Sequence, residues 1–482
     1  VLYALSIVVY RLYFHRLAKY PGPFLNKISP VPAIYYLLRG RLPMATIAMH
    51  RKYGSVVRVM PNELSFDSAQ AWEDIYGHRQ GHLNMHKDPI HVGSVDPIPG
   101  VTTLTMADDA NHARQRRAMA YSFSQKALED QEHIVQGYVN VLIQKLGEMG
   151  KRSEEFNLVN WLNFTTFDII GDLAFGEPFG CLDAGKFIEW VSLIFETVKA
   201  GAMEQGTRRF AEAGGAMQTW LVEHTIPAEF RRRRRQHLIQ SKEKVLRRLS
   251  RPDSDHRDFI WYILKQKERH DLKQDEVIVN GALFIVAGSE TTANALSGLT
   301  ARLLRNPDKY EKLVNEIRSA FEKESDITNE RCKDLIYMNA CIEEGLRVHP
   351  PVPAGLLRTV PKGGDYIDGN WVPEGTSVAV SSWAASHNPN NFSQPDAFIP
   401  ERWIDKEWTG DNKKGMQPFS LGPRGCIGKH LSYMEMRIIL ARLLWNYDLV
   451  STDGAWEWDP DGDMKNMVAF NTWQKPSLNM KV

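Results

Sequence analysis

The chain has 482 residues and carries 59 Lys+Arg against 58 Asp+Glu, a formal charge of +1, so no global field draws it to nucleic acid. Hydrophobic residues make up 43%, with 13 Trp, 16 Tyr and 20 Phe, enough for two or three ordinary domains or one large core. Four cysteines (Cys181, Cys332, Cys341, Cys426) without a C-x-x-C pair argue against a zinc ribbon, a c-type heme attachment and a disulfide scaffold, and for a reducing compartment.

Val1 to Tyr10 is almost wholly apolar but short of the roughly 20 residues that span a bilayer. Arg11, His15, Arg16 and Lys19 follow, then the stiff turn Pro21-Gly22-Pro23. A core helix could begin this way. The basic flank favours the remnant of a membrane anchor with its linker, residues 1–20, ahead of a folded domain over 21–482 facing the cytosol. Ser55–Met60 and Glu63–Phe66, separated by Pro61-Asn62, predict a small hairpin. His78, His82, His86 and His91 cluster, but Leu83 breaks H-E-x-x-H, and Gly81, Pro89, Gly93, Pro97 and Gly100 make the region loop rather than a zinc site.

The run Arg231–Arg235 reads as a solvated helix face or a contact with anionic lipid, given the neutral chain. Val279 to Leu299 is a long apolar segment interrupted by Ala287-Gly288-Ser289-Glu290-Thr291-Thr292. Gly inside a helix costs ~1 kcal/mol relative to Ala, and buried polar groups cost more unless partnered. Such a break is either a kink whose hydroxyls bond back to the preceding turn or a functional site. Asn306-Pro307-Asp308 predicts a capped helix start, with Tyr310, Leu313, Val314, Ile317 and Phe321 as its apolar stripe. Glu344 and Arg347 share a helix face that ends at His349-Pro350-Pro351. Thr376–Val380 reads as a strand, and Phe398-Ile-Pro-Glu-Arg402-Trp403 offers a second arginine beside aromatic residues.

The most informative segment is Phe419-Ser-Leu-Gly422-Pro-Arg424-Gly425-Cys426-Ile-Gly428. A lone cysteine is usually a small buried hydrophobe. Here it sits in a glycine-flanked, arginine-bearing loop, a setting suited to a thiolate ligand for heme iron. Phe419 would cover the sulfur, Gly422 would permit the turn, and Arg424 would reach an anionic propionate. Gly428 would let the next helix approach the porphyrin. Backbone N–H groups after Cys426 would tune the sulfur, and a thiolate ligand favours O–O cleavage. The glycines fit neither G-x-G-x-x-G nor the phosphate-binding G-x-x-x-x-G-K-[ST].

These residues resemble the proximal loop of cytochrome P-450 heme-thiolate enzymes, and the resemblance recurs in order from Pro21 to the C-terminus. It implies the cytochrome P-450 fold, mainly α with small β-sheets, as a single large heme domain. Cys426 would be the axial ligand to the iron of heme b. Ala287 and Gly288 would belong to the distal helix, where a small residue opens a groove for O2. Thr291 would hydrogen-bond the oxygen, and Glu290 would relay protons from solvent. Arg116, Arg358 and Arg424 would hold the propionates, with His112 standing where relatives often have Trp; Arg114 and Arg117 would face solvent or a partner. Glu344, Arg347 and Arg402 would form a buried structural network.

The implied activity is insertion of one oxygen atom from O2 into a lipophilic small molecule. A rearranging or peroxide-using enzyme and a non-catalytic heme sensor are the rivals, and the Glu290-Thr291 pair argues against the first of them. Flavin and nicotinamide signatures are missing, so electrons from NADPH would come through a separate flavoprotein reductase docking near Lys429. The order of anchor, basic stretch and Pro-Gly-Pro turn matches microsomal members at the endoplasmic reticulum membrane, and a monomer is expected. Residues 13–23 and 61–66 look like filamentous-fungal members, many of which act in secondary metabolism. The substrate pocket is expected within 85–110, 195–215 and 282–292 and near Val352.

Overall fold

A computed structural model of the chain describes residues 2–93, 95, 98–251, 255–267, 270–452, 458 and 464–482; Pro97 lies outside these. The first helix, α1 (Leu2–Val9), buries none of its residues, and Leu2, Tyr3 and Leu5 are among the most exposed apolar side chains. Arg11 donates to the Ile28 carbonyl at 2.5 Å, and its own carbonyl accepts from buried Arg58 at 2.9 Å, so the basic stretch is fastened to the body. Among the described residues no helix is long and apolar enough to cross a membrane.

The predicted hairpin forms as β1 (Val56–Met60) and β2 (Glu63–Phe66), antiparallel. It grows into a five-stranded sheet with β3 (His86–Lys87), β4 (Arg358–Thr359) and β5 (Ser377–Val380), in the order β1-β2-β5-β4-β3. Leu64 pairs with Val378, Arg358 with Val378, and Lys87 with Arg358, so residues far apart in sequence reach one sheet edge.

The helical body starts with α2 (Asp109–Ala120) and α3 (Gln125–Lys151). Asp108 caps α2 by accepting the Asn111 N–H, and Ser124 caps α3 by accepting that of Ala127, each satisfying a donor the first turn leaves free. The helix α4 (Leu158–Phe175) is buried nearly all round and ends at Gly176 in the left-handed conformation, φ 69°. Next come α5 (Glu189–Arg208), α6 (Ala228–Leu249), α7 (Gln274–Leu304), α8 (Pro307–Ala320), α9 (Ile336–Val348) and, after the cysteine loop, α10 (Lys429–Asn446). α7 lies along α4 and touches α6, α9 and α10, which makes it the central rod of the core. Gly288 explains part of the α7–α4 contact: a Cβ there would come within 2.7 Å of Ile170 Cδ1. Near the C-terminus β6 (Val468–Ala469) and β7 (Trp473–Gln474) form a short antiparallel hairpin.

Three expectations change. Arg234 is not part of a solvated face; it is buried and bonds Glu204 and the carbonyls of Gly93 and Val95, because a helix wrapped against α5 presents one of any five consecutive residues inward. Arg114 pairs with Glu276 rather than with solvent. Asn306 does not cap α8 with its side chain; its amide donates back to the Arg302 carbonyl at 2.7 Å, satisfying the end of α7 instead.

Candidate functional site

The cysteine loop is built by close approach. Gly422 has φ 67°, and a Cβ there would lie 2.0 Å from the Tyr76 carbonyl oxygen, so no other residue fits. The Cys426 N–H donates to the Phe419 carbonyl at 2.8 Å, closing the loop. The Phe419 ring packs on Tyr433 with centroids 5.3 Å apart. Gly428 precedes α10 and has almost nothing near its Cβ direction, only Phe123 Cε1 at 4.0 Å.

Cys181, Cys332 and Cys341 are buried, whereas the Cys426 side chain is accessible. Protein crowds Cys426 from most sides, and this burial pushes its thiol up. The Gly428 N–H, Arg116 and Lys429 pull the other way, toward thiolate.

Basic side chains gather beside this loop. Arg116 donates to the Gly425 carbonyl at 2.5 Å, and Arg424 to the Ala107 carbonyl at 2.7 Å and to Asp109 at 2.8 Å. His112 is buried and its imidazole is pushed down to about 4, first by burial and then by Arg424 and Arg116. It is therefore neutral near pH 7 and retains one N–H donor. Arg358 is only 3% exposed, lies over the Tyr76 ring, and among the described residues finds one acceptor, its neighbour's carbonyl at 3.3 Å. A guanidinium buried with so little compensation is costly unless an anion joins it.

His112, Arg358 and Arg424 line one cavity of about 160 Å³, and Arg358 and Arg424 also line a neighbouring chamber of about 250 Å³. The donor set suits a metal cofactor bearing carboxylates: an accessible sulfur two residues before the Gly428 N-cap of α10, and a rim of Arg116, Arg358, Arg424 and neutral His112, with Asp109 already paired, although Cys426 itself is not in the lining of either cavity.

The larger chamber is roofed by α7. Leu283, Val286, Ala287, Glu290 and Thr291 face it, opposite Ile194, Phe195 and Val198 of α5 and Val352. The expected pocket segments thus supply much of its wall. Gly288 is turned toward α4, so Ala287 is the small residue on the chamber side. The Thr291 hydroxyl donates to the Ala287 carbonyl at 2.7 Å, and Ser289 bonds back to Ile285 at 2.6 Å. Glu290 is buried rather than open to solvent: Lys475 at 2.7 Å and Asn294 at 3.0 Å both hold its Oε1.

Behind the loop, Glu344, Arg347 and Arg402 meet with side chains wholly buried. Glu344 also accepts from Trp403 Nε1 at 3.0 Å and the Ile399 N–H at 2.8 Å, and Arg347 donates to the carbonyls of Ser386, Pro395 and Ala397. Asp411 completes the set by pairing with Arg402.

A sequence pattern for the family described as Cytochrome P450 matches residues 27–474. The chain belongs to the cytochrome P450 family. The cytochrome P450 monooxygenase aba2 of Botryotinia fuckeliana is 44% identical over 98% of this chain and 91% of its own length. ABA2 of Pyricularia oryzae, also called a cytochrome P450 monooxygenase, is 43% identical over 99% of this chain and 94% of its own. The cytochrome P450 monooxygenase astA of Talaromyces wortmannii is 40% identical over the whole chain and 95% of its own. As a P450 the chain is an oxidoreductase, and the family implies heme, O2 and electrons from a redox partner.

Sequence reasoning missed Lys475 and Phe470, both brought to the site by the C-terminal hairpin without a local motif. Asn294 could have been found, since it follows Glu290 by one helical turn. Asp411 carries no spacing signal.

Proposed function

We propose that this P450 uses Cys426 as thiolate ligand to heme b and inserts one oxygen atom from O2 into a lipophilic small molecule, in fungal secondary metabolism. The observation that carries this reading is the single accessible thiol beside a basic rim in which buried Arg358 forms no ion pair with any described residue. When bound, thiolate-ligated heme supplies the oxygen-activating chemistry, which consumes two electrons and two protons and releases one water.

The chain's own residues do the rest. Arg116, Arg358, Arg424 and neutral His112 hold the propionates, and Phe419 shields the proximal loop. Ala287 leaves room on the chamber side of α7, and Thr291 and Glu290 handle protons there. The apolar wall of Ile194, Phe195, Val198, Leu283 and Val286 binds the substrate and excludes water.

Electrons come from NADPH through a flavoprotein reductase, met by exposed Lys429 and Arg117 near the cysteine loop. Exposed Leu2, Tyr3, Leu5, Tyr13 and Phe14, with Phe24, Leu25, Val31 and Tyr35, support contact with the endoplasmic reticulum membrane, the heme domain remaining cytosolic.

The test is turnover under isotopically labelled O2. A panel of lipophilic compounds is screened for spectral shifts of the ferric protein, and binders are incubated with reductase and NADPH. One labelled oxygen per product molecule is expected. Rearranged product with no labelled oxygen, or turnover that proceeds on peroxide but not with reductase, would favour the other heme-thiolate activities.

A further inference from the structure

Glu290 is gripped at one oxygen only. Lys475 Nζ and Asn294 Nδ2 both donate to Oε1, at 2.7 and 3.0 Å, while Oε2 is buried with no hydrogen-bond partner among the described residues. The Asn294 amide also donates to the Trp473 carbonyl at 3.0 Å, which stitches α7 to β7 just before Lys475. The pair is enclosed: the Lys475 side chain is 2% exposed and that of Glu290 9%. Glu290, Thr291, Thr472 and Gln474 all line the same chamber. Burial pushes the Glu290 carboxyl up, and the Lys475 ammonium is the group that holds it down.

We propose that Lys475 is a positioning residue for proton delivery: it fixes Oε1, keeps Glu290 ionised, and leaves Oε2 as the oxygen that takes up and returns a proton. This rests on the reading of Glu290 as the proton carrier. In one cycle an O–H bond forms at Oε2 as an O–H bond of a solvent hydronium breaks and leaves water. The bond at Oε2 then breaks as an O–H bond forms on the acceptor in the chamber, and the carboxylate and ammonium end as they began. A lysine that merely pinned the hairpin would leave the charge of Glu290 untouched, and that difference can be measured.

The experiment uses the holoenzyme carrying Lys475→Met, Lys475→Arg or Glu290→Gln, with heme content and melting temperature matched. Infrared spectra at neutral pH read the carboxyl directly. Lys475→Met should show the C=O stretch of a protonated buried carboxyl that vanishes when Glu290→Gln is added; wild type and Lys475→Arg should lack it. In reductase-driven turnover without added substrate, the share of O2 reduced fully to water rather than peroxide should fall about tenfold in Lys475→Met. That is less than the ~10²-fold of a whole positioned acid, because Glu290 is still present. Lys475→Arg should restore most of it.

Should Lys475→Met accumulate poorly, Lys475→Gln removes the charge while keeping a donor, and the same signature is expected. A Lys475→Met protein with no new carboxyl band, or with an unchanged share of water, overturns the proposal. An unchanged share in Glu290→Gln overturns the reading of Glu290 itself, and the infrared arm separates the two failures.

Discussion

The Thr291 hydroxyl donates its proton to the Ala287 carbonyl, leaving only its oxygen lone pairs for a partner in the chamber. On the proposed reading its role there is to accept and align, with proton supply falling to Glu290. Thr291→Ala should therefore fold and load heme normally, yet divert reducing equivalents from product to peroxide. Peroxide and product measured per NADPH check this, and unchanged coupling would remove Thr291 from the mechanism. At this scale the sequence was most legible where several residue types recur at fixed spacing, as in Phe419, Gly422, Arg424, Cys426 and Gly428. It was least legible for side chains defined by their neighbours. Nothing in the sequence distinguishes Arg234, which clasps the carbonyls of Gly93 and Val95, from exposed Arg232 two residues before it.

Elements are joined by buried charge. Glu344 and Arg347 on α9 reach Arg402 and Asp411 in the segment leading to the cysteine loop, all four side chains wholly buried. Removing one partner of such a set leaves the others uncompensated and costs ~3–5 kcal/mol. Glu344→Ala should yield little heme-loaded protein, measured as heme per polypeptide after purification; a fully loaded, stable variant would contradict the network's role.

A second link runs between α7 and α10, where Thr292 and Ser432 hydroxyls lie 3.0 Å apart beside Glu435. No hydrogen bond of ordinary geometry from the described residues reaches either Glu435 carboxyl oxygen, and burial pushes its carboxyl up to about 8 against the pull of the nearby Thr292 hydroxyl. The folded state then binds one more proton than the unfolded state between pH ~4.5 and ~8. Stability must fall by up to about 1.4 kcal/mol per pH unit across that window and level off above it. Glu435→Gln should flatten this slope in urea titrations at pH 5.5, 7 and 8, and an unaltered slope would place the titrating group elsewhere. The helix periods, the β1–β2 hairpin and the Glu344–Arg347 spacing were readable because they are local. The five-stranded order was not, since β2 pairs with β5 across more than 300 residues.

For the whole molecule, length and an aromatic-rich composition allowed either two or three domains or one large core, and a single extended apolar cluster joins α3, α4, α7, α9 and α10. What composition could not convey is that the fold leaves Cys426 accessible in its loop and gathers Arg116, Arg424 and His112 around it, with buried Arg358 beside Arg424. The measurement that tests this most directly is the carbon monoxide difference spectrum of the reduced protein, wild type beside Cys426→Ala, after supplementation with hemin. Wild type should give the strongly red-shifted band of a thiolate-ligated heme, and Cys426→Ala should lose it. A wild-type protein that stays colourless, or a variant that keeps the band, would contradict the assignment.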